Sequence, residues 1–140
     1  MTPTDEKFIQ LSAIERECFH GSWTAETLLS ELNSPLNVLC TEERGGKIAG
    51  FALGRVVADE AELFQIATLP EFRRQGIAER LLSALHGEMR GRGAACCFLE
   101  VRSRNTGAIA LYEKAGYEKI SLRRNYYPDD DAVIYKISLI

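Results

Sequence analysis

The chain has 140 residues, 46% of them hydrophobic and 26% charged, with a formal net charge of -3. These values describe one soluble globular domain spanning 1–140, large enough to bury roughly two-thirds of its unfolded surface. The acidic balance argues against a general nucleic-acid binder. No apolar leader opens the chain and no run approaches the ~20 apolar residues of a membrane span, so the expectation is a cytoplasmic protein with no nucleic-acid or membrane partner.

Phe8, Leu11, Ile14, Glu15 and Cys18 recur at helical spacing and predict a first helix over about Thr4 to Phe19, broken by Gly21. Thr24 is placed to cap a second helix. Trp23 before it can pack on Leu28 as a hydrophobic staple, and Leu29 and Leu32 continue the buried stripe to Asn33-Ser34-Pro35. Two strands, Asn37 to Glu43 and Lys47 to Val57, flank Gly45-Gly46, a dipeptide suited to a two-residue hairpin turn. Asp59-Glu60 turns the chain into a third strand, Glu62 to Leu69. A long helix follows, with Ala78, Leu81, Leu82, Leu85 and Met89 on one stripe, ending at Gly91 and Gly93. The nearly unbroken apolar run Ala94 to Val101 reads as a strand buried on both faces. A short helix from about Thr106 to Ala115 stops at Gly116. Tyr117 to Tyr127 and Ala132 to Leu139 form a last hairpin around Pro128-Asp129-Asp130-Asp131.

This order of elements mixes hairpins with one crossover helix and so predicts a mixed sheet. The strands at 62–69 and 94–101, joined through the long helix, should be parallel with a right-handed crossover. Ligands of such sheets bind beyond the carboxyl ends of the parallel strands. Two groups of residues fall there: the turn Arg73-Arg74-Gln75-Gly76-Ile77-Ala78, and Glu100. A glycine-bearing turn opening a helix presents backbone N–H groups and about half a positive charge. The two arginines add full charges, and the natural guest is a phosphate or pyrophosphate. The turn lacks the Gly-Lys-Ser/Thr of a P-loop, and Gly91-Arg92-Gly93 lacks the third glycine and the preceding strand of a dinucleotide fingerprint.

Glu100 ends an apolar strand and shares a face with Cys96 and Phe98. Burial there would raise its pKa and suit it to act as a general base; alternatively it pairs with Arg102 or Arg104 near the surface. Tyr112 lies on the stripe Ala108, Leu111, Tyr112, Ala115, where it is either core or a proton donor. Asn105 is either the cap of the short helix or a ligand contact. Cys18, Cys40, Cys96 and Cys97 lack C-x-x-C spacing, and His20 and His86 stand at no ligand spacing. The cysteines read as small buried hydrophobes, with no metal expected.

Taken together, Leu63-Phe64-Gln65-Ile66-Ala67, the Arg-x-x-Gly-x-Ala turn, Leu99-Glu100-Val101-Arg102, Asn105, Ala110-Leu111-Tyr112-Glu113, Gly116-Tyr117 and Arg123-Arg124-Asn125-Tyr126-Tyr127-Pro128 resemble, in order and spacing, the GNAT acetyltransferase superfamily. The similarity runs from about Phe19 to the C-terminus. Its more specific parts, with Ser22-Trp23-Thr24, resemble the RimI branch of ribosomal-protein alanine N-acetyltransferases. The resemblance implies a mixed α/β GNAT-like fold, mostly antiparallel around a central parallel strand pair flanked by helices, with the usual N-terminal strand short or absent.

It further implies acetyl-CoA as co-substrate, with the pantetheine arm against the backbone of Ile66, Ala67 and Thr68. The pyrophosphate would sit at Arg73, Arg74, Gln75, Gly76, Ile77, Ala78 and Glu79, and Asn105 would contact the CoA arm. Glu100 would accept a proton and Tyr112 would donate one to the departing thiolate, with Trp23 and Tyr126 as a peptide-binding wall. The implied partner is an acceptor protein N-terminus, a ribosomal protein among the candidates, and the enzyme a monomer or weak dimer. An α-amine with a pKa near 8 needs only a modest base, unlike a lysine near 10.4. Acceptors of lysine or small-amine type, and a non-catalytic acyl-CoA-binding module, remain the alternatives. The acidic turn at 128–131 either favours a basic peptide or is a solvated hairpin tip.

Overall fold

The computed structural model describes residues 1–140. The elements in chain order are α1 (Glu6–Phe19), α2 (Ala25–Asn33), β1 (Asn37–Arg44), β2 (Lys47–Val57), β3 (Glu60–Thr68), a 3-10 turn (Pro70–Phe72), α3 (Ile77–Gly91), β4 (Cys96–Arg102), α4 (Thr106–Ala115), β5 (Glu118–Tyr127) and β6 (Asp130–Ser138). The strands form one sheet in the order β1-β2-β3-β4-β6-β5. Only β3 and β4 are parallel, joined through α3; every other neighbouring pair is antiparallel. This is the expected mixed sheet with its central parallel pair, and its order begins with β1 at one edge.

Local chemistry sets the element ends. Thr24 Oγ1 accepts the Thr27 N–H at 3.1 Å and caps α2, and Asn105 Oδ1 does the same for α4 through the Ala108 N–H at 3.2 Å. Gly45 and Gly46 form the β1–β2 turn. The next turn falls at Ala58-Asp59, one residue earlier than expected, because Val57 already pairs with Glu60.

The sheet separates two cores. On one face Leu11 and Ile14 of α1 pack with Ile48, Phe51, Leu53, Ala67 and Leu69. On the other, Leu81, Leu82, Leu85 and Met89 of α3 pack with Leu63, Leu99, Val101 and the tyrosines Tyr112, Tyr117 and Tyr135. The helices α1 and α2 cover only β1 to β3.

That layout corrects one expectation. β4 is buried on a single face, through Cys97, Leu99 and Val101; Cys96 and Phe98 are half-buried and Glu100 is exposed. An apolar run cannot reveal whether a helix lies over both of its faces, and here none covers the second.

Candidate active site

The parallel pair is short. β3 and β4 pair only from Glu60 with Cys96 to Glu62 with Phe98. β3 then continues to Thr68 and β4 to Arg102 without a ladder between them. The split leaves backbone donors and acceptors along the facing edges, which want partners. Within the β3 stretch expected to take a pantetheine arm, the Thr68 hydroxyl oxygen is buried with no hydrogen-bond partner.

The arginine-glycine turn closes one mouth of this split. Arg74 has φ of 64° and Gly76 φ of 75°, both left-handed, so the backbone folds its N–H groups inward ahead of α3. The first recorded bonds on either side are Arg73 N–H to Pro70 O and Arg80 N–H to Gly76 O. Between them, the N–H groups of Arg74, Gln75, Gly76, Ile77, Ala78 and Glu79 find no acceptor in the protein, and no side chain caps the helix. Unpaired N–H groups at a helix N-terminus form a cradle for a phosphate or pyrophosphate. The two arginines behave differently. Arg73 turns back, donating from Nε to Thr68 O at 3.1 Å, whereas the Arg74 guanidinium has no ion-pair partner in the protein.

The other proposed residues lie on both sides of the split. Tyr112 is 8% exposed, packed edge-on to Tyr117 with ring centroids 5.7 Å apart. Burial, with the Cys97 thiol adding to it, pushes its pKa up to about 12, so it stays protonated and able to donate. Glu100 points to the opposite face. It is not buried, so the burial argument for its role does not apply. Its ion-pair partner is Arg123 of β5, at 3.6 Å, rather than Arg102 or Arg104. Asn105 caps α4 as described.

Trp23 lies edge-on to Phe64 at 6.0 Å. The turn that carries it is tied to α1 by Glu15, a carboxylate only 2% exposed whose Oε1 accepts from Ser22 Oγ and the Trp23 N–H, both at 3.0 Å. Tyr126 is half-exposed, edge-on to Tyr127 with Arg123 over its ring at 5.6 Å.

The aspartates at 129–131 are not a free acidic patch: Asp129 stays exposed at the tip, and each has a partner. Asp129 pairs with Arg102 at 2.6 Å, Asp130 accepts from Ser103 Oγ and, at 3.0 Å, from the Arg104 N–H, and Asp131 accepts from the Asn125 N–H at 2.7 Å. Asp129 and Asp130 pin the β5–β6 hairpin to the end of β4 and the residues just after it, and Asp131 ties the hairpin to itself. The Arg102 hydrogen bond lowers the Asp129 pKa, and that from Ser103 lowers Asp130.

The sequence had not singled out Glu62. It lies on the same face as Glu100 and makes no ion pair. Its cross-strand neighbour Arg55 is committed to Glu31 at 3.1 Å and stacks over Phe64 at 5.3 Å. Lost hydration raises the Glu62 pKa, the nearby Glu100 charge adds to the rise, and Arg55 opposes it. In sequence, Glu60-Ala61-Glu62-Leu63 alternates as any solvated strand face does, so nothing there marks Glu62.

A split parallel pair with an N–H cradle at one mouth and carboxylates on the open face can hold an extended ligand that carries a phosphate or pyrophosphate. The Acetyltransferase (GNAT) family matches residues 8–117. The chain belongs to that family.

Among relatives of this GNAT chain, the [ribosomal protein bS18]-alanine N-acetyltransferase of Escherichia coli strain K12 is 44% identical over 119 residues, covering 84% of this chain and 79% of that protein. The N-alpha-acetyltransferase RimI of Mycobacterium tuberculosis is 35% identical over 128 residues, covering 87% and 79%. The crystal structure of the ribosomal-protein-S18-alanine N-acetyltransferase from Escherichia coli superposes with a TM-score of 0.88 at 37% identity, covering 99% of this chain and 90% of that one. An aminoglycoside 6'-N-acetyltransferase complexed with coenzyme A shares the fold, with a TM-score of 0.85 at 17% identity, covering 100% and 95%. The GNAT chain described here is thus an acetyl-CoA-dependent N-acetyltransferase of the RimI-like kind. No three His, Cys, Asp or Glu side chains come together as a metal site, and no helix is long and apolar enough to cross a membrane.

Proposed function

We propose that the enzyme transfers the acetyl group of acetyl-CoA to the α-amine of a protein N-terminus, alanine of a small-subunit ribosomal protein of the bS18 type, in the cytoplasm. The observation that carries this reading is the 44% identity to the Escherichia coli enzyme acting on that class of acceptor. In this reading the N–H groups from Arg74 to Glu79 hold the pyrophosphate, with Arg73, Arg74 and the capping residue Asn105 around the CoA arm. The split edge of β3 at Ile66, Ala67 and Thr68 takes the pantetheine as an added strand would lie. Trp23 and Tyr126 wall the peptide entrance.

A thioester is already activated, so alignment and proton handling are what the protein must supply. Glu100, on the open face, takes a proton from the acceptor ammonium. The free amine then attacks the thioester carbonyl, forming the C–N bond, and the C–S bond breaks. Tyr112, on the opposite side of the split and protonated at neutral pH, donates its hydroxyl proton to the departing thiolate and is reprotonated by the second proton of the acceptor nitrogen. Both are the residue types that direct transfer requires.

The reading is tested by mass spectrometry on a panel of N-terminal peptides with blocked, lysine-containing controls. Acetylation confined to the α-amine of alanine-start peptides is expected; modification of lysine side chains, or none, would overturn it. Glu100→Gln should lower kcat by about a hundredfold or more, most strongly at low pH, where the amine is fully protonated. Unchanged turnover in that variant would remove Glu100 from its role.

A further inference from the structure

The ladder between β2 and β3 contains a bulge. Gly54 pairs with Leu63 and Leu53 with Gln65, so Phe64 is the extra residue. In a regular strand Gln65 would share the face of Leu63, toward α3. The bulge reverses this. Leu63 and Ile66 pack with the α3 core, whereas Leu53, the pair partner of Gln65, and Ala67 pack beneath α1. Gln65 is therefore turned to the side of Glu62 and Glu100, on the part of β3 that has already parted from β4.

There the residue is 6% exposed, and its Oε1 is buried with no hydrogen-bond partner. A buried amide oxygen without a donor is costly, and apolar side chains of similar size would pack the same space without that cost. An unpaired acceptor of this kind in a folded protein calls for a partner that arrives from outside. Glu62 on the same strand carries no ion pair, Trp23 and Phe64 form the adjacent aromatic wall, and Glu15 fixes the turn from which Trp23 projects.

Resting on the function proposed above, we infer that Gln65 is an acceptor-recognition residue, its Oε1 accepting a hydrogen bond from an N–H of the acceptor's amino-terminal residue. The bulge at Phe64 is what brings it there. Its contact is to the acceptor and not to the CoA arm, whose edge lies along Ile66, Ala67 and Thr68.

The test compares wild type with Gln65→Met, which keeps length and removes the amide, and with Gln65→Asn, which keeps a shortened amide. Steady-state kinetics on an alanine-start peptide, the KM for acetyl-CoA and the Tm are read for each. In Gln65→Met the peptide KM should rise about tenfold while the acetyl-CoA KM changes less than about twofold, and the Tm should hold or rise because an unsatisfied buried group has gone. Gln65→Asn should fall between. A higher Tm with an unchanged peptide KM would overturn the inference, since the orphan oxygen would then serve no ligand. A lower Tm with both KM values shifted equally would also overturn it, since Gln65 would then be structural. If wild type itself acetylates no α-amine peptide while binding acetyl-CoA, the proposed function fails first and takes this inference with it. The wild-type control thus separates the two failures.

Discussion

The packing of Tyr112 and its proposed role pull in one direction. Its ring completes the core around Tyr117, and the burial that packing requires is what raises its pKa to about 12. A phenol held protonated through the physiological range is a poor base and a standing proton donor. Removing the hydroxyl alone leaves the packing. Tyr112→Phe should therefore lower kcat by about a hundredfold with little change in Tm, and the surviving activity should show no new ionisation below about pH 10. Wild-type kcat in this variant would reduce Tyr112 to a core residue. Glu100 shows the opposite relation between environment and proposed role. It is open to solvent and paired with Arg123 at 3.6 Å, so its proposed role rests on position rather than burial.

At the scale of elements, the bulge in β3 and the close approach of α3 to β2 depend on each other. Gly54 stands next to the bulge. A Cβ there would lie 2.6 Å from the Glu62 carbonyl oxygen and 2.5 Å from Met89 Cε. The methionine end can move, but the carbonyl belongs to the neighbouring strand. Gly54→Ala should cost about 1–3 kcal/mol in chemical denaturation, and, because β3 is what must yield, it should also raise the peptide KM. A variant as stable as wild type would show that the strands are looser than this packing implies.

The same elements separate what was legible in the sequence from what was not. Helices, hairpins, the parallel pair and the turn that opens α3 follow from periodicity and from turn residues acting within a few positions, and were expected; the order of the strands across the sheet was not, because it is set by tertiary pairing. The bulge was not, because Phe64 and Gln65 both fit a regular alternation and the slip is a property of two strands. The open face of β4 was not, because coverage is decided by how far α1 and α2 reach. The pinned aspartates were not, because Arg102, Ser103 and Arg104 meet Asp129 and Asp130 only after β4 and β6 pair. Local chemistry thus announced the proposed cofactor end of the site, whereas the proposed acceptor end is assembled by tertiary contacts.

For the molecule as a whole, acid should act through the helix-side core before it acts through the sheet. His86 of α3 is 5% exposed and shares a hydrogen bond of 2.7 Å with the Tyr117 hydroxyl, joining α3 to the segment between α4 and β5. Burial, with the nearby Arg90 charge adding to it, lowers its pKa from 6.5 to about 4. The native state therefore holds His86 neutral, while the unfolded chain binds a proton below pH 6.5. Stability from this group is complete above that value, declines as pH falls toward 4, and levels off below. The span corresponds to on the order of 3 kcal/mol. Asp129 and Asp130, whose pKa values are lowered by their hydrogen bonds, release their contributions only at still lower pH, below the ordinary carboxylate value of 3.8. Denaturation followed at steps between pH 8 and 4 should show a loss beginning near 6.5, and His86→Gln, which keeps a polar side chain without a titrating ring, should flatten that region while lowering the plateau. An identical slope in the variant would place the acid sensitivity elsewhere in the fold.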